Sequence, residues 1–482
     1  MRSMHRSKML IDGKLVNSVA GKVATIYNPA TKEPVAEVSV GVRIDAQLAL
    51  DAARIAFPKW SETHSQQRGD ILHEAARLVR QRVEEIATLL TCEQGKPLKD
   101  SRREVLSSAD VLDYYAEEGK RNFGQWVPAA SQGSRSLVVK QPIGVAAIIT
   151  PWNLPVDLMA WKVGPALAAG CTVVAKPPSL APLAATAFIR AVNDAGVPPG
   201  VVNVVHGSGS VVGAELVENP VSRKIAFTGE TATGRWIMEK AARHIKRVSL
   251  ELGGQSPFIV CSDASVDKAV SACVQRAFSN MGQICISVNR IYVAEEVAEE
   301  FTSKLVDRTM KLKVGNGLEP GIDLGPMFSE PMRQKTEEHI ADAVQKEARV
   351  LCGGHKPEGE EYENGFFFLP TVLENVDHSM RVMREETFGP VAPIMHFEDL
   401  DEVISLANGT EYGLAAYIFT NDLTTAIKAA ERLEAGGVGI NVNNVAEIQA
   451  PFGGWKQSGL GRELGHYGLD EYLEVKHIRF GL

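Results

Sequence analysis

From Gly144 onward the chain alternates short, largely apolar runs with stretches of helical period, and this pattern restricts the possible folds more than any other feature. Gly144–Thr150 is apolar without polar alternation, as expected of a strand buried on both faces. Leu154–Ala169 reads as helix, Cys171–Ala175 as strand, Ala181–Ala195 as helix, and Val201–Val205 and Ile225–Phe227 as further strands. Strand-helix-strand repetition of this kind predicts a parallel, doubly wound α/β sheet, which binds nucleotides at the carboxyl ends of its strands. The same alternation restarts at Ser256–Val260, followed by helix over 266–278, strand over 291–293 and helix over 297–310. A boundary near Leu252–Gln255 follows, with Glu251 at a junction where clefts form. Ala46–Asn122 is helical, punctuated by Pro58 and the turn Gly95-Lys-Pro97. Ser136–Pro142 reads as an extended strand, and Leu473–Arg479 as a closing strand able to pair with Leu137–Val139.

A chain of 482 residues is too long for one core, so about three domains, or two and an appendage, are expected. The net charge of −8 and the lack of a Lys/Arg block argue against nucleic acid or an anionic membrane as partner. Small molecules are the expected ligands. Six cysteines without C-x-x-C spacing fit neither a disulfide framework nor a zinc ribbon, and read as free thiols in a reducing, cytoplasmic setting. No metal site is expected. The basic start has no signal-peptide core after it, and no later apolar run reaches spanning length.

Cys285, in Phe278–Arg290, and Glu251, in Glu251-Leu-Gly-Gly254, pair a nucleophile with a candidate base. The plainer reading of a lone cysteine is a small buried hydrophobe. Phe227–Gly234 follows a strand and opens a helix, where backbone N–H groups can meet a pyrophosphate, but its glycines lack the G-x-G-x-x-G spacing and a plain turn fits equally. Asn153 can donate to an oxyanion or simply cap a helix, and Trp152 can pack on a cofactor. Lys176, at a strand end, can bond a ribose hydroxyl or stand exposed. Glu385–Pro390 and the glycine-rich Pro451–Glu463 complete the set.

In this order, Pro151-Trp-Asn153, Lys176-Pro177, Phe227-Thr-Gly229 with Gly234, Glu251–Gly254, Gly282–Cys285, Glu386-Thr-Phe388 and Pro451–Gly454 resemble the NAD(P)-dependent aldehyde dehydrogenase superfamily over nearly the whole chain. The resemblance implies a Rossmann-type cofactor domain (1–122 and 143–252), an α/β catalytic domain (253–466, its end returning to the cofactor domain) and a small β oligomerisation arm (123–142 and 467–482). It also implies homodimers or homotetramers. In the implied chemistry Cys285 attacks an aldehyde, Asn153 holds the oxyanion, Glu251 activates water on the thioester, and Glu463 relays the proton. NAD or NADP would be held by Thr150, Trp152, Lys176, Ser179, Phe227, Thr228, Gly229, Gly234, Leu252, Glu386 and Phe388.

Departures from the family pattern shape the finer expectations. Ser179 stands where many NAD-preferring members carry a glutamate, so use of NADP, or of both cofactors, is expected. Glu230 replaces a common serine near the pyrophosphate. The nearest flavour is the succinate-semialdehyde dehydrogenase group, whose distal-carboxylate grip, two arginines and a serine, corresponds here to Trp161, Ser279 and Ala446. None of these makes a charged fork. A polar or semialdehyde-type substrate is therefore expected, with succinate semialdehyde itself as the alternative. Leu154, Asp157, Leu158 and Trp161 should share one helix face toward the substrate, joined by Ser279, Ala446 and Phe452. Asp157 would meet a hydroxyl or ammonium group or face solvent, and Arg102 and Arg103 could reach an anion from the side. From another class, a cysteine thioesterase or esterase would use the same thiol and Glu251.

Overall fold

The computed structural model describes Arg6–Gly481; the expectations for the basic start before Arg6 and for Leu482 lie outside the described residues. Five parallel strands form the centre of an eight-stranded sheet. Their order is Arg247–Glu251, Ser222–Thr228, Val145–Ile149, Thr172–Lys176, Val202–Val204. Chain order reverses between Val145–Ile149 and Ser222–Thr228. These two strands are neighbours without being consecutive, so the connections leave their carboxyl ends in opposite directions and a crevice opens between them. The buried, non-alternating runs are these strands: every residue of Val145–Ile149 and Thr172–Lys176 is buried.

Both sheet edges are closed by antiparallel strands. Gly459–Leu460 pairs with Arg247–Glu251 at one edge, and at the other Met9–Ile11 pairs with Val202–Val204 and carries the outermost strand, Lys14–Val16. A second, seven-stranded sheet runs Arg349–Cys352, Thr371–Glu374, Val391–Phe397, Val288–Ala294, Ser256–Val260, Ala415–Phe419, Gly437–Ile440. Its members pair in parallel except for the first. The closing strand spans Leu473–Gly481 and pairs antiparallel with Ser134–Pro142, setting Ile478 against Leu137 and Lys476 against Val139. Gln125–Val127 completes this small sheet, on which Trp126, Val475 and Phe480 are exposed.

Four helices, Arg43–Glu62, Ser65–Gln81, Val83–Gln94 and Leu98–Glu118, fill the region read as helical. Pro58 does not punctuate it. The first helix runs through the proline, which is exposed, while Trp60 beyond it is buried and holds the last turn against the core. The helix expected from Leu154 begins only at Asp157, after a turn that leaves Asn153 buried. All six cysteines are free, and no described helix is long and apolar enough to cross a membrane.

Arg290 joins the second sheet to its surroundings. Fully buried, it donates to the Gln255 carbonyl at 2.7 Å and to the Leu406 and Ala407 carbonyls at 3.2 and 2.9 Å, at the end of helix Leu400–Asn408. Arg290→Met would strand those buried acceptors, each costing about 1–3 kcal/mol when unpaired. A fall in the thermal midpoint of several degrees is expected in a melting experiment; an unchanged midpoint would show that water replaces the guanidinium without loss.

Candidate active site

Two adjoining cavities, of about 600 and 380 Å³, open at the carboxyl ends of Val145–Ile149 and Ser222–Thr228. Trp152, Thr228, Gly229 and Glu230 line both. Thr150, Lys176, Ser179 and Phe227 line the first, and Asn153, Leu252, Cys285, Glu386 and Phe388 the second. Gly234 lies behind the wall, where a Cβ would come within 2.6 Å of the Leu252 side chain. The cleft presents polar groups without protein partners, as a dinucleotide requires. The Thr150 hydroxyl is buried with none, and the Lys176 amine, held down to about 8 by burial, reaches only the Pro177 carbonyl at 3.2 Å. Ser179 donates to the Gly207 carbonyl at 2.8 Å. Glu386 accepts from the Gly254 N–H at 3.0 Å and is pushed up to about 7 by burial. Glu230 is exposed at the start of helix Thr231–Ala242, so its carboxylate can turn to water. Phe388 has a positive φ of 54° and meets Trp152 edge-on at 5.6 Å, while Trp152 stacks on Phe328 at 4.1 Å. A left-handed phenylalanine is costly and persists only where its surroundings fix it.

Cys285 is presented by a tight reversal after helix Val266–Phe278. Asn280, Met281 and Gly282 all have positive φ. At Gly282 a Cβ would fall 2.2 Å from the Gly389 carbonyl, so only glycine allows the two backbones to meet. The thiol is pushed up to about 12, by burial first and then by Glu386 and Glu251. It is neutral at rest. The Asn153 amide donates to the Gln283 carbonyl at 3.0 Å, two residues before Cys285. Its backbone is clamped from the other side: the Lys96 amine lies 2.6 Å from the Asn153 carbonyl and 2.6 Å from Glu104, both side chains nearly inaccessible. Glu104 in turn accepts from the Val156 N–H at 2.9 Å, and Asn280 donates to the Asn153 carbonyl at 3.1 Å.

Glu251 is buried, with neither carboxylate oxygen hydrogen-bonded, and burial followed by the Glu463 charge raises it well above the carboxylate range. It turns toward the glycine-rich segment, where a Cβ on Gly453 would lie 2.9 Å from Oε1. Glu463 is paired with Lys162 at 2.6 Å, and Lys162 also donates to Thr228 at 2.6 Å. No hydrogen bond joins Glu251 to Cys285 in this resting arrangement.

On the substrate side, Trp161 and Phe452 are buried and meet edge to face at 5.2 Å, Leu158 is buried, and Leu154, Ser279 and Ala446 are half-buried. Asp157 has a buried carboxyl oxygen without a hydrogen-bond partner, and burial, then Glu104, raises it well above the carboxylate range, which favours a hydroxyl over an ammonium group as its partner. Arg102 and Arg103 depart from expectation. They are exposed on helix Leu98–Glu118 and paired with Glu84 and Asp100.

Sequence reading missed Lys96, Glu104, Lys162, Lys335 and Tyr412; the last two line the second cavity. Lys162 had a signal: it is the lone charge in the otherwise apolar segment Leu158–Ala169, and such a lysine needs a buried partner. Lys96 and Glu104 had none, since a lysine in a turn and a glutamate on a charged helix look solvated.

The sequence profile of the aldehyde dehydrogenase family matches residues 16–478. The chain is 45% identical to the NADP(+)-dependent succinate-semialdehyde dehydrogenase of Escherichia coli over 480 residues, covering 100% of this chain and 99% of that one. It is 42% identical to 3-sulfolactaldehyde dehydrogenase of Pseudomonas putida, with 99% and 98% covered. Betaine aldehyde dehydrogenase of Staphylococcus aureus, solved with NAD+, superposes with a TM-score of 0.97 at 36% identity, covering 100% and 96%. The chain belongs to the aldehyde dehydrogenase family, and with it to the oxidoreductases that oxidise aldehydes with NAD(P)+.

Proposed function

We propose that the enzyme oxidises a short aldehyde carrying a distal anion to its carboxylic acid, accepts NADP+ as well as NAD+, and uses Cys285 as nucleophile. The observation that carries this reading is the convergence of Cys285, Asn153 and Glu386 on one cleft at the reversal of strand order. The Cys285 thiolate attacks the aldehyde carbon, and the new oxyanion is met by the Asn153 amide and the Cys285 N–H. Glu386, Lys176, Thr150 and Trp152 would hold the cofactor. When bound, NAD(P)+ supplies the hydride acceptor and a cationic ring whose charge favours the thiolate. The thioester left on Cys285 is hydrolysed by water that Glu251 deprotonates. Only the ionised form of Glu251 can take that proton, and its raised proton affinity then makes it a stronger base, with Glu463, paired with Lys162, to pass the proton on. Ser179 puts no negative charge opposite a 2′-phosphate, which supports use of NADP+.

The distal anion is supported by the relatives: succinate semialdehyde and 3-sulfolactaldehyde, the substrates in their names, carry a carboxylate and a sulfonate. Exposed Trp126, Val475 and Phe480 on the small sheet support assembly into dimers or tetramers. Six free thiols fit a reducing, cytoplasmic setting.

Appearance of reduced cofactor with succinate semialdehyde, with both NAD+ and NADP+, tests the reading. Cys285→Ala should abolish turnover while leaving cofactor binding intact; residual turnover above about a thousandth would mean another group is the nucleophile.

Lys96→Met should lower kcat by about 10–100-fold by releasing the Asn153 backbone. In an Asn153→Ala background the same change should cost less than about threefold, because its effect runs through that amide. Equal losses in both backgrounds would assign Lys96 to general stability instead.

In cofactor-free enzyme, Cys285 alkylation should still be accelerating at about pH 10, given a thiol pushed up to about 12. Glu386→Gln removes a neighbouring negative charge and should move that titration to lower pH. A titration that stays in place would show that burial alone sets the thiol.

A further inference from the structure

The reading of a distal anion requires a cation that none of Trp161, Ser279 and Ala446 supplies. Lys96 is engaged with Glu104, Lys162 with Glu463, and Arg462 with the Gly454 and Gly461 carbonyls, while Lys176 and Lys335 line the cavities read as the cofactor's. Arg276 is different. It sits in the last turn of helix Val266–Phe278, three residues before Ser279, the residue that ends the helix. Segment 441–450, which brings Ala446 and leads to Phe452, is laced to that helix. Asn443 donates to the Gln275 side chain at 2.8 Å and approaches the Ala272 carbonyl at 3.4 Å. Arg276 spans the seam: Nε donates to the Asn443 carbonyl, and Nη2 lies 3.4 Å from Asn444 Oδ1. Half-buried, it has no carboxylate within 4.0 Å among the described residues and keeps guanidinium donors free. Its charge opposes, in part, the upward push of burial on the Cys285 thiol and on the Tyr417 hydroxyl, which donates to the Ile286 carbonyl at 3.0 Å.

Resting on the function proposed above, we propose that Arg276 is the anion-binding end of the substrate subsite, receiving the distal carboxylate or sulfonate of an aldehyde whose carbonyl lies at Cys285. Small side chains at Ser279 and Ala446 then have a purpose. Ser279 follows Arg276 by three residues, and Ala446 is bonded through its backbone to the Asn444 side chain that Arg276 approaches, so neither adds bulk beside the guanidinium. Two oxygens of the anion can displace the long contact to Asn444 and take the free Nη donors, while the bond from Nε to Asn443 keeps the fork in place. Trp161 and Phe452 supply an apolar wall for the intervening carbons.

The test compares succinate semialdehyde with butanal, a neutral aldehyde of the same length, in the wild type, Arg276→Met and Arg276→Lys, with NADP+ saturating. The wild type should prefer the semialdehyde, and Arg276→Met should lower that preference, the ratio of the two kcat/KM values, by about 100-fold, chiefly through KM for the semialdehyde. Arg276→Lys should recover part of the ratio, since it restores charge without the fork. NADP+ affinity and the melting midpoint of each variant are measured alongside. If the Met variant is damaged in these, the Lys variant decides, together with the wild type, whose KM for the semialdehyde, but not for butanal, should rise with salt. An unchanged ratio in the variants, or an equal loss on both aldehydes, overturns the role of Arg276 and leaves the anionic substrate standing. A wild type that does not prefer the semialdehyde overturns the anionic substrate itself, and the subsite with it.

Discussion

The buried contact between Lys96 and Glu104 fixes the geometry on which the cleft depends. Two charges, each almost wholly removed from water, are tolerable only when their remaining hydrogen-bonding capacity is met. Here it is met by backbone: the Asn153 carbonyl takes the ammonium group and the Val156 N–H feeds the carboxylate. The pair therefore does more than join two parts of one helical layer. It sets the path of the turn between strand Val145–Ile149 and helix Asp157–Ala169, and so the direction in which the Asn153 amide faces. From that amide the chain of contacts passes through the Gln283 carbonyl to the reversal carrying Cys285, and through Gly282 to the backbone beside Phe388.

Around that frame the ionisable groups are held in their less reactive forms. The Cys285 thiol is neutral, Glu251 favours its proton, and Glu386 is poised near neutrality. Each shift has burial as its first cause and is reinforced by a carboxylate neighbour; the cations nearby, Arg276 for Cys285, Lys162 and Arg462 for Glu251 and Lys335 for Glu386, offset it only in part. A site built this way is quiet until positive charge arrives. The Lys162–Glu463 ion pair lies beside Glu251, and the Glu463 charge adds to the rise in its proton affinity. A thiol that ionises only beside a cationic partner is also protected from adventitious oxidation, because the thiolate is the oxidisable form.

How much of this was legible in the chain depended on the range of the physics involved. Strands Val145–Ile149, Thr172–Lys176 and Ser256–Val260 and helix Val266–Phe278 were readable because burial on two faces, or on one, imposes a local period. The short strands Met9–Ile11 and Gly459–Leu460 were not, because edge strands of two or three residues leave no period to read. Pro58 misled for a related reason: a proline rule describes the backbone bond it removes, not the hydrophobic anchor beyond it. The residues that line the cleft could be named through the family resemblance their motifs carry, whereas the groups that orient them, Lys96 and Glu104, could not. Their partners are main-chain atoms of Asn153 and Val156, and main-chain atoms leave no mark in a sequence.

Asp157 and Arg276 show the same limit at the level of specificity. Asp157 starts the expected helix, yet burial and the neighbouring Glu104 favour its neutral form. A residue type at a position is not a charge in a pocket. Conversely, the lack of arginine at positions 161 and 279 says only that no guanidinium starts there. A side chain as long as arginine can begin three residues away, be pinned by its Nε to a facing carbonyl, and still deliver its charge to the region its neighbour would have occupied. Small residues at 279 and 446 are then the counterpart of a cation that enters from 276, not evidence of an indifferent pocket. Substrate charge is better judged from which buried cations lack a carboxylate than from which alignment positions lack an arginine.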